Sequence, residues 1–226
     1  MAKKNGIITI DGPSGVGKST VSRKVAAATG YTYLDTGAMY RGVGLYLQQQ
    51  QIDLSDTEAI VEKLRTLDLQ LTPAVDEVSD VGVLVNGVDV SREIRTPAIA
   101  MAASAASAVP AVREVLTQMQ QAIGRAGRIV AEGRDTGTVV FPNATNKFYL
   151  DAQPEERAQR RCAQLLSKGI VADFEEVLAQ TLIRDKNDSQ RDIAPLRPAE
   201  DAVYIDTTAL DIDAVVAKII AIVNRN

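Results

Sequence analysis

Eight residues near the N-terminus carry the clearest chemical signal in this chain. Gly12-Pro13-Ser14-Gly15-Val16-Gly17-Lys18-Ser19 matches G-x-x-x-x-G-K-[ST] at every fixed position. In the turn this pattern implies, successive backbone N–H groups and a helix N-terminus converge on the phosphates of a nucleoside triphosphate. Lys18 reaches the β and γ oxygens, the Ser19 hydroxyl ligates Mg²⁺, and with Thr20 the expected ATP-binding segment is complete. The pattern specifies a triphosphate but not a reaction, since kinases, GTPases, ATPases and nucleotide-gated switches all use it.

Other residues narrow the choice. GTPases need an Asp-x-x-Gly and an Asn-Lys-x-Asp; neither occurs, and Asn146-Lys147 runs on into Phe148-Tyr149. A chain of 226 residues without a long apolar strand ending in a carboxylate pair is a poor motor ATPase, which leaves a small-molecule kinase. Histidine is absent, so imidazole triads, most zinc sites and histidine bases are excluded. Phosphoryl transfer to an already anionic phosphate oxygen needs no such base. Lysine plus arginine number 25 against 29 acidic residues, so the net charge of −4 offers no chain-wide field for polymeric DNA or RNA.

Cys162, the single cysteine, excludes an intrachain disulfide and suits a reducing cytoplasm. Lys3 and Lys4 precede an apolar stretch, Ile7 to Ile10, too short for a secretory signal. Ala98 to Val112 is broken by serines and Pro110, and the last apolar run by Lys218, so a soluble protein with no membrane partner is expected.

The elements that must position these groups read as an alternation of strands and helices. Gly6 to Ile10 is β-rich, and Val21, Val25 and Ala28 then recur at helical spacing up to Gly30. Tyr31 to Leu34 reads as a second strand before a helix beginning near Gly37, giving a βαβ unit. Ser55-Asp-Thr-Glu58 has capping-box spacing and opens a helix to about Arg65. The period then switches to two at Leu67, Leu69 and Leu71, and Asn86-Gly87 between alternating valines predicts a type I′ hairpin. Residues 67–90 therefore read as a small antiparallel insertion.

Thr96 to Ile123 is helical with a break at Pro110; Arg128 to Glu132 and Lys147 to Asp151 read as strands. A helix from Pro154 to Lys168 stops at Gly169, and another spans Phe174 to Asp185. Lys186 to Glu200 reads as a mobile, charge-rich loop before a strand at Ala202 to Asp206 and a terminal amphipathic helix from Asp211.

An acceptor that is itself a phosphate must be held against a triphosphate despite repulsion, so cations must converge on it. Arg41, Arg134, Arg184 and Arg191 all fall at starts of helices or ends of strands, where an open parallel sheet binds ligands, although any one of them alone reads equally as a surface arginine.

At this point the chain resembles a known family. Ile7 to Thr20, Leu34-Asp-Thr-Gly-Ala-Met-Tyr-Arg41, Ser91-Arg-Glu-Ile-Arg95, Gly133-Arg-Asp-Thr-Gly-Thr-Val-Val-Phe-Pro142, Arg184-Asp-Lys-Asn-Asp-Ser-Gln-Arg191 and Ala194-Pro-Leu196 look like the bacterial cytidylate kinases, in order, from Ile7 to the last helix. The resemblance implies an α/β, P-loop nucleoside monophosphate kinase fold: a five-stranded parallel sheet flanked by helices, with the antiparallel insertion. It implies a CORE of residues 1–35, 126–152 and 192–226, an NMP-binding domain of 36–125 and a LID region of 153–191. It further implies transfer of the γ-phosphoryl group of ATP to CMP or dCMP by a monomer.

On the same resemblance, the CMP site maps onto Thr36, Tyr40, Arg41, Ser104, Arg113, Arg134, Asp135, Arg184, Asp188 and Arg191. Position 36 is serine in some members; threonine keeps the hydroxyl and adds a methyl group. Charge neutralisation during transfer falls to Lys18, Mg²⁺ at Ser19, Arg134, Arg184 and LID arginines among Arg157, Arg160 and Arg161.

Chemistry supports the base-reading pair. Cytosine offers an N4 donor beside acceptors at N3 and O2, so a selective pocket wants a carboxylate and an arginine, here Asp135 and Arg113. Uracil would turn O4 toward the carboxylate and leave a buried charge without a donor. Ser104 and Asp188 suit ribose hydroxyls, with Arg184 near the sugar and Arg41, Arg134 and Arg191 on phosphates. The residues themselves leave open another small P-loop kinase, acting on UMP, AMP or shikimate, and a nucleotide-gated binding module.

Overall fold

The structure is a computed structural model that describes residues 6–74, 79–167 and 169–225. Lys3, Lys4, Lys168 and part of the 67–90 insertion lie outside the described residues. The chain opens with β1 (Ile7–Asp11), α1 (Lys18–Thr29), β2 (Thr32–Asp35), α2 (Thr36–Gln49) and α3 (Thr57–Arg65). Three short strands follow, β3 (Leu69–Thr72), β4 (Gly82–Val85) and β5 (Val88–Asp89), then α4 (Pro97–Ala106) and α5 (Pro110–Gly124). The remainder comprises β6 (Ile129–Gly133), β7 (Asn146–Asp151), α6 (Pro154–Leu166), α7 (Phe174–Gln190), β8 (Val203–Asp206) and α8 (Ile212–Val223).

These elements fall into two compact units, one of residues 1–34 with 127–226 and the other of residues 35–126. The first is built on a five-stranded sheet in the order β2-β6-β1-β7-β8, with β1 parallel to both β6 and β7 and β7 parallel to β8. Alternation along each strand sorts the side chains by face. Ile8 and Ile10 of β1, Phe148 and Leu150 of β7 and Ile205 of β8 form one core with Val21 and Val25 of α1 and Val215 and Ile219 of α8. The other face of β1 carries Thr9 and Asp11, both buried, because a parallel sheet is covered on both sides. Their cover is a wide helical turn, Thr136–Val140, in which Val140 N–H donates to Asp135 O and Phe141 N–H to Thr136 O. The motif reading named these residues without assigning them this turn.

In the second unit, β4 pairs antiparallel with β3 and β5, and Asn86 and Gly87 take φ of 49° and 77°, the conformation a type I′ turn requires. Helices α2 and α4 meet where a Cβ on Gly44 would lie 3.0 Å from Ala103 N, so any side chain there would force the helices apart by a few tenths of an ångström. Pro97 and Pro110 sit in the first turns of α4 and α5, where the missing N–H costs nothing. No single described helix is long and apolar enough to cross a membrane; α4 and α5 are bent by 98° at their break.

Several expectations are corrected. Lys186 to Glu200 is not loop throughout, because α7 continues to Gln190: its charges are paired on a helix face, Asp185 with Arg157 and Asp188 with Arg134, rather than solvated. The cap of α3 is Asp56, whose carboxylate accepts from Ala59 N–H, while Ser55 is held by Asp53. Leu67 precedes the strand, which begins at Leu69. Gly169 follows α6 at φ 76°, with Ile170 N–H closing onto Leu165 O.

Candidate nucleotide site

The glycine-rich turn leaves β1 at Gly12 and enters α1 at Lys18. Gly12 cannot carry a side chain, since a Cβ would lie 2.0 Å from Leu150 O, and Gly15 and Gly17 take φ of +86° and +89°. Gly17 caps α1 without a side-chain acceptor, so the first amides of the helix are left for a ligand. Lys18 folds back over the turn, its Nζ donating to Pro13 O at 2.6 Å. Burial holds its ammonium well below the usual lysine range, and neighbouring Arg134 and Arg184 push the same way against Glu132 and Asp11. A cluster of cations that depresses its own lysine is a cluster suited to an anion.

Arginines from α6 and α7 close on this turn. Arg157, 3% exposed, donates through Nη1 to Ser14 O at 3.1 Å and forks onto both oxygens of Asp185. Arg184 Nη1 reaches the Ser14 hydroxyl at 3.1 Å. Arg160 instead binds Thr207 O and Thr208 O, and Arg161 lies along its own helix, donating to Gln164. Of the three LID arginines, only Arg157 is brought to the turn.

Behind β6 two ion pairs join residues 134–135 to α7 and its exit. Arg134 Nε donates to Asp188 Oδ2 at 2.7 Å, and Arg191 Nη2 to Asp135 Oδ1 at 3.3 Å. Burial opposes ionisation of Asp188, but Arg134, Arg184 and Arg191 outweigh it and hold its carboxyl below the ordinary value. Burial likewise disfavours the Arg134 cation, yet Asp188, Glu132 and Asp11 raise its pKa. These acids and bases satisfy one another. A cavity of about 290 Å³ opens beside Pro13 and is also lined by Asp151, Gln153, Arg157, Asp185 and Tyr204.

The second unit holds the other group of expected residues. Thr36 and Tyr40 lie on α2, Ser104 on α4 and Arg113 on α5. The Arg113 guanidinium, buried, stands 5.5 Å over the Tyr40 ring and donates to Ser107 O, which fixes its direction. Arg41 pairs with Asp35 at 3.1 Å, and Arg95 reaches the same carboxylate at 3.4 Å. Burial acts against ionised Asp35, but the two guanidiniums and the Ala38 amide prevail and lower its pKa.

Four participants were not on the expected site: Asp11, Asp35, Arg95 and Asp185. Each lay inside a segment singled out for its motif. A buried carboxylate at a strand end beside a glycine-rich turn was the available signal for Asp11.

For Mg²⁺, the donor chemistry fits a metal held largely by substrate. Among the described residues no three of His, Cys, Asp and Glu group as metal ligands, whereas Ser19 offers a hard oxygen on the second residue of α1. Magnesium keeps waters and phosphate oxygens and needs few protein ligands.

Parallel sheet, glycine-rich turn at its edge, and lysine at the start of the following helix define a P-loop kinase fold. The cytidylate kinase family model matches residues 8–225, and the chain belongs to that family. It is 48% identical over its full length to the cytidylate kinase of Rhodococcus opacus, covering 97% of that protein. It is 46% identical to cytidylate kinase 1 of Haemophilus influenzae, over 97% of this chain and 94% of that one. A solved structure of an uncharacterized protein from Eubacterium ventriosum aligns over 99% of this chain and 100% of its own with a TM-score of 0.52 and 12% identity, a likeness of fold alone.

Proposed function

We infer that this protein transfers the γ-phosphoryl group of ATP to CMP or dCMP, giving ADP and CDP or dCDP. The observation that carries the reading is the family match over residues 8–225. The amide-lined turn with its buried lysine is the chemistry that reaction needs.

The backbone N–H groups between Gly12 and Thr20, Pro13 having none, bind the triphosphate together with Lys18 and hold its γ group, while Arg134 and Arg184 neutralise charge as it moves. Ser19 would hold Mg²⁺, which would offset phosphate charge when bound. Arg157 acts first on the shape of the turn through Ser14 O; to touch the transferred group it must leave Asp185. Arg161 is assigned to the transferring group from the resemblance, and reaching it means leaving Gln164.

The acceptor is assigned, on the family likeness, to Thr36, Tyr40, Arg41, Ser104, Arg113, Arg134, Asp135, Arg184, Asp188 and Arg191. Asp135 accepts from cytosine N4 and Arg113 donates to its ring acceptors. Thr36 presents a hydroxyl to the base, and Ser104 and Asp188 meet ribose hydroxyls. The acceptor oxygen is anionic already, so no proton acceptor is assigned. We assign residues 1–35, 126–152 and 192–226 to a CORE, 36–125 to an NMP-binding domain and 153–191 to a LID, acting as a cytoplasmic monomer. The division in contacts near residues 34 and 127 supports the second boundary set.

The test is ADP formation with Mg²⁺-ATP across CMP, dCMP, UMP and AMP. CMP and dCMP should dominate kcat/KM; a chain blind to both would overturn the reading in favour of another P-loop kinase.

A further inference from the structure

We propose that Asp11 is a positioning residue for the acceptor side of the reaction: its carboxylate seats the turn that follows Asp135 on the same strand end from which the phosphate-binding turn departs. The proposal rests on the function inferred above and concerns a residue to which that reading gives no task.

Asp11 is the last residue of β1 and is 4% exposed. Its Oδ1 accepts from Thr136 N–H at 2.9 Å and from the Thr136 hydroxyl at 2.8 Å, and its Oδ2 accepts from Gly137 N–H at 2.7 Å. All three donors come from one turn, and two are amides at its start, where a helical turn has no acceptor of its own. The seat is close: a Cβ on Gly137 would lie 2.8 Å from Thr9 Oγ1 and 3.4 Å from Asp11 Oδ2.

Geometry makes the link directional. On one side of Asp11 the chain passes straight into Gly12 and the phosphate-binding turn. On the other, the residues it grips are the immediate continuation of Arg134 and Asp135, whose side chains are aimed by Asp188 and Arg191. A shift of residues 136–137 on β1 is transmitted first to Asp135, one peptide away, whereas the phosphate-binding turn keeps its own anchors, Arg157 and Arg184 on Ser14 and Lys18 on Pro13 O. Asp11 therefore governs acceptor binding more than donor binding.

The carboxylate must be ionised to accept all three bonds. Burial raises its pKa to about 6, Asp135 adds to the rise, and the bonds from Gly137 and Thr136 oppose it. The charged and titratable groups around it are Lys18 from α1, Glu132 and Arg134 from β6 and its exit, Asp135, and, from β7, Lys147 and the neutral phenol of Tyr149. Protonation turns one oxygen into a donor, and one of the Thr136 and Gly137 amides then loses its acceptor.

The experiment compares wild type, Asp11→Asn and Thr136→Val in steady-state assays with CMP and ATP from pH 5.5 to 8. Asparagine keeps the size and one acceptor of aspartate but turns an amide donor on Gly137 N–H. For Asp11→Asn at pH 8 the KM for CMP should rise about 10- to 100-fold, from the loss of a charge-assisted hydrogen bond, with the KM for ATP within about threefold. Thr136→Val, which removes one bond, should give about a three- to tenfold rise in the same KM alone, and it decides the matter if Asp11→Asn does not fold. CMP itself titrates at about pH 6, so the pH readout is the difference between proteins. The wild-type KM for CMP should rise more steeply below pH 6.5 than that of Asp11→Asn. An unchanged KM for CMP in the folded variants, or equal rises for CMP and ATP, would overturn the proposal. Wild type without CMP turnover would instead remove the functional reading, and this proposal with it.

Discussion

Replacing Asp135 by asparagine isolates the group assigned to cytosine N4. The carboxylate is 5% exposed and its charge is met by Arg191 at 3.3 Å, so it acts in a dry, polarised setting. A hydrogen bond to a charged acceptor contributes about 1.5–3 kcal/mol, which at about 1.4 kcal/mol per tenfold predicts roughly a 10- to 150-fold fall in kcat/KM for CMP. For UMP the sign reverses. The amide can donate to O4, so the repulsion between the carboxylate and O4 that disfavours uracil is gone, and kcat/KM for UMP should hold or increase. The CMP-to-UMP preference should thus drop on the order of 100-fold. Stability should fall by only about 1–2 kcal/mol, because the introduced amide still offers Arg191 an oxygen and Arg191 keeps Ala194 O at 2.7 Å. Competition between the two monophosphates at fixed Mg²⁺-ATP measures the ratio directly. A ratio unchanged in a folded variant would refute the assignment of Asp135 to the base.

Lys18→Ala should lower kcat by at least about 100-fold, since it removes the donor assigned to the transferring group, yet leave the melting temperature level or raised because burial already disfavours that charge; a variant with near-normal kcat contradicts the role. Gly12→Ala puts a methyl group 2.0 Å from Leu150 O and should cost more than about 4 kcal/mol, visible as loss of soluble folded protein by circular dichroism. Asp11 also predicts a pH dependence of stability. Its folded pKa of about 6 exceeds the unfolded 3.8, so the native state binds the proton more tightly and the ionised form costs stability: nothing below pH 4, growing through 4–6, and complete above 6. About two units correspond to roughly 3 kcal/mol. In urea titrations wild type should therefore gain up to that amount relative to Asp11→Asn as the pH falls from 7 to 4, and parallel curves would disprove it. Asp35 and Asp188, held low by arginines, act oppositely below pH 4 in both proteins and cancel in the comparison.

Much of the fold was readable because local signals were strong. Glycine spacing at 12–17, the Asn86-Gly87 turn and the Pro154 helix start each admit one backbone solution, and each appears in the structure. The error at Lys186 to Glu200 has a definite cause. Sequence shows that Asp185, Asp188 and Arg191 are charged but not that Arg157, Arg134 and Asp135, 28 to 56 residues earlier, wait to neutralise them, and unpaired charges look like loop. The turn at 136–140 was illegible for the same reason, since its acceptor comes from Asp11, 125 residues away. Site residues were legible as types at element ends; their mutual pairings, which set direction and charge state, depend on tertiary contacts that no local pattern encodes.

The central claim is most directly tested by following the protein with Mg²⁺, ATP and CMP by ³¹P NMR. CDP and ADP resonances should grow together in equal amounts, with no free phosphate. Loss of ATP matched by inorganic phosphate, or ATP left intact, would contradict it.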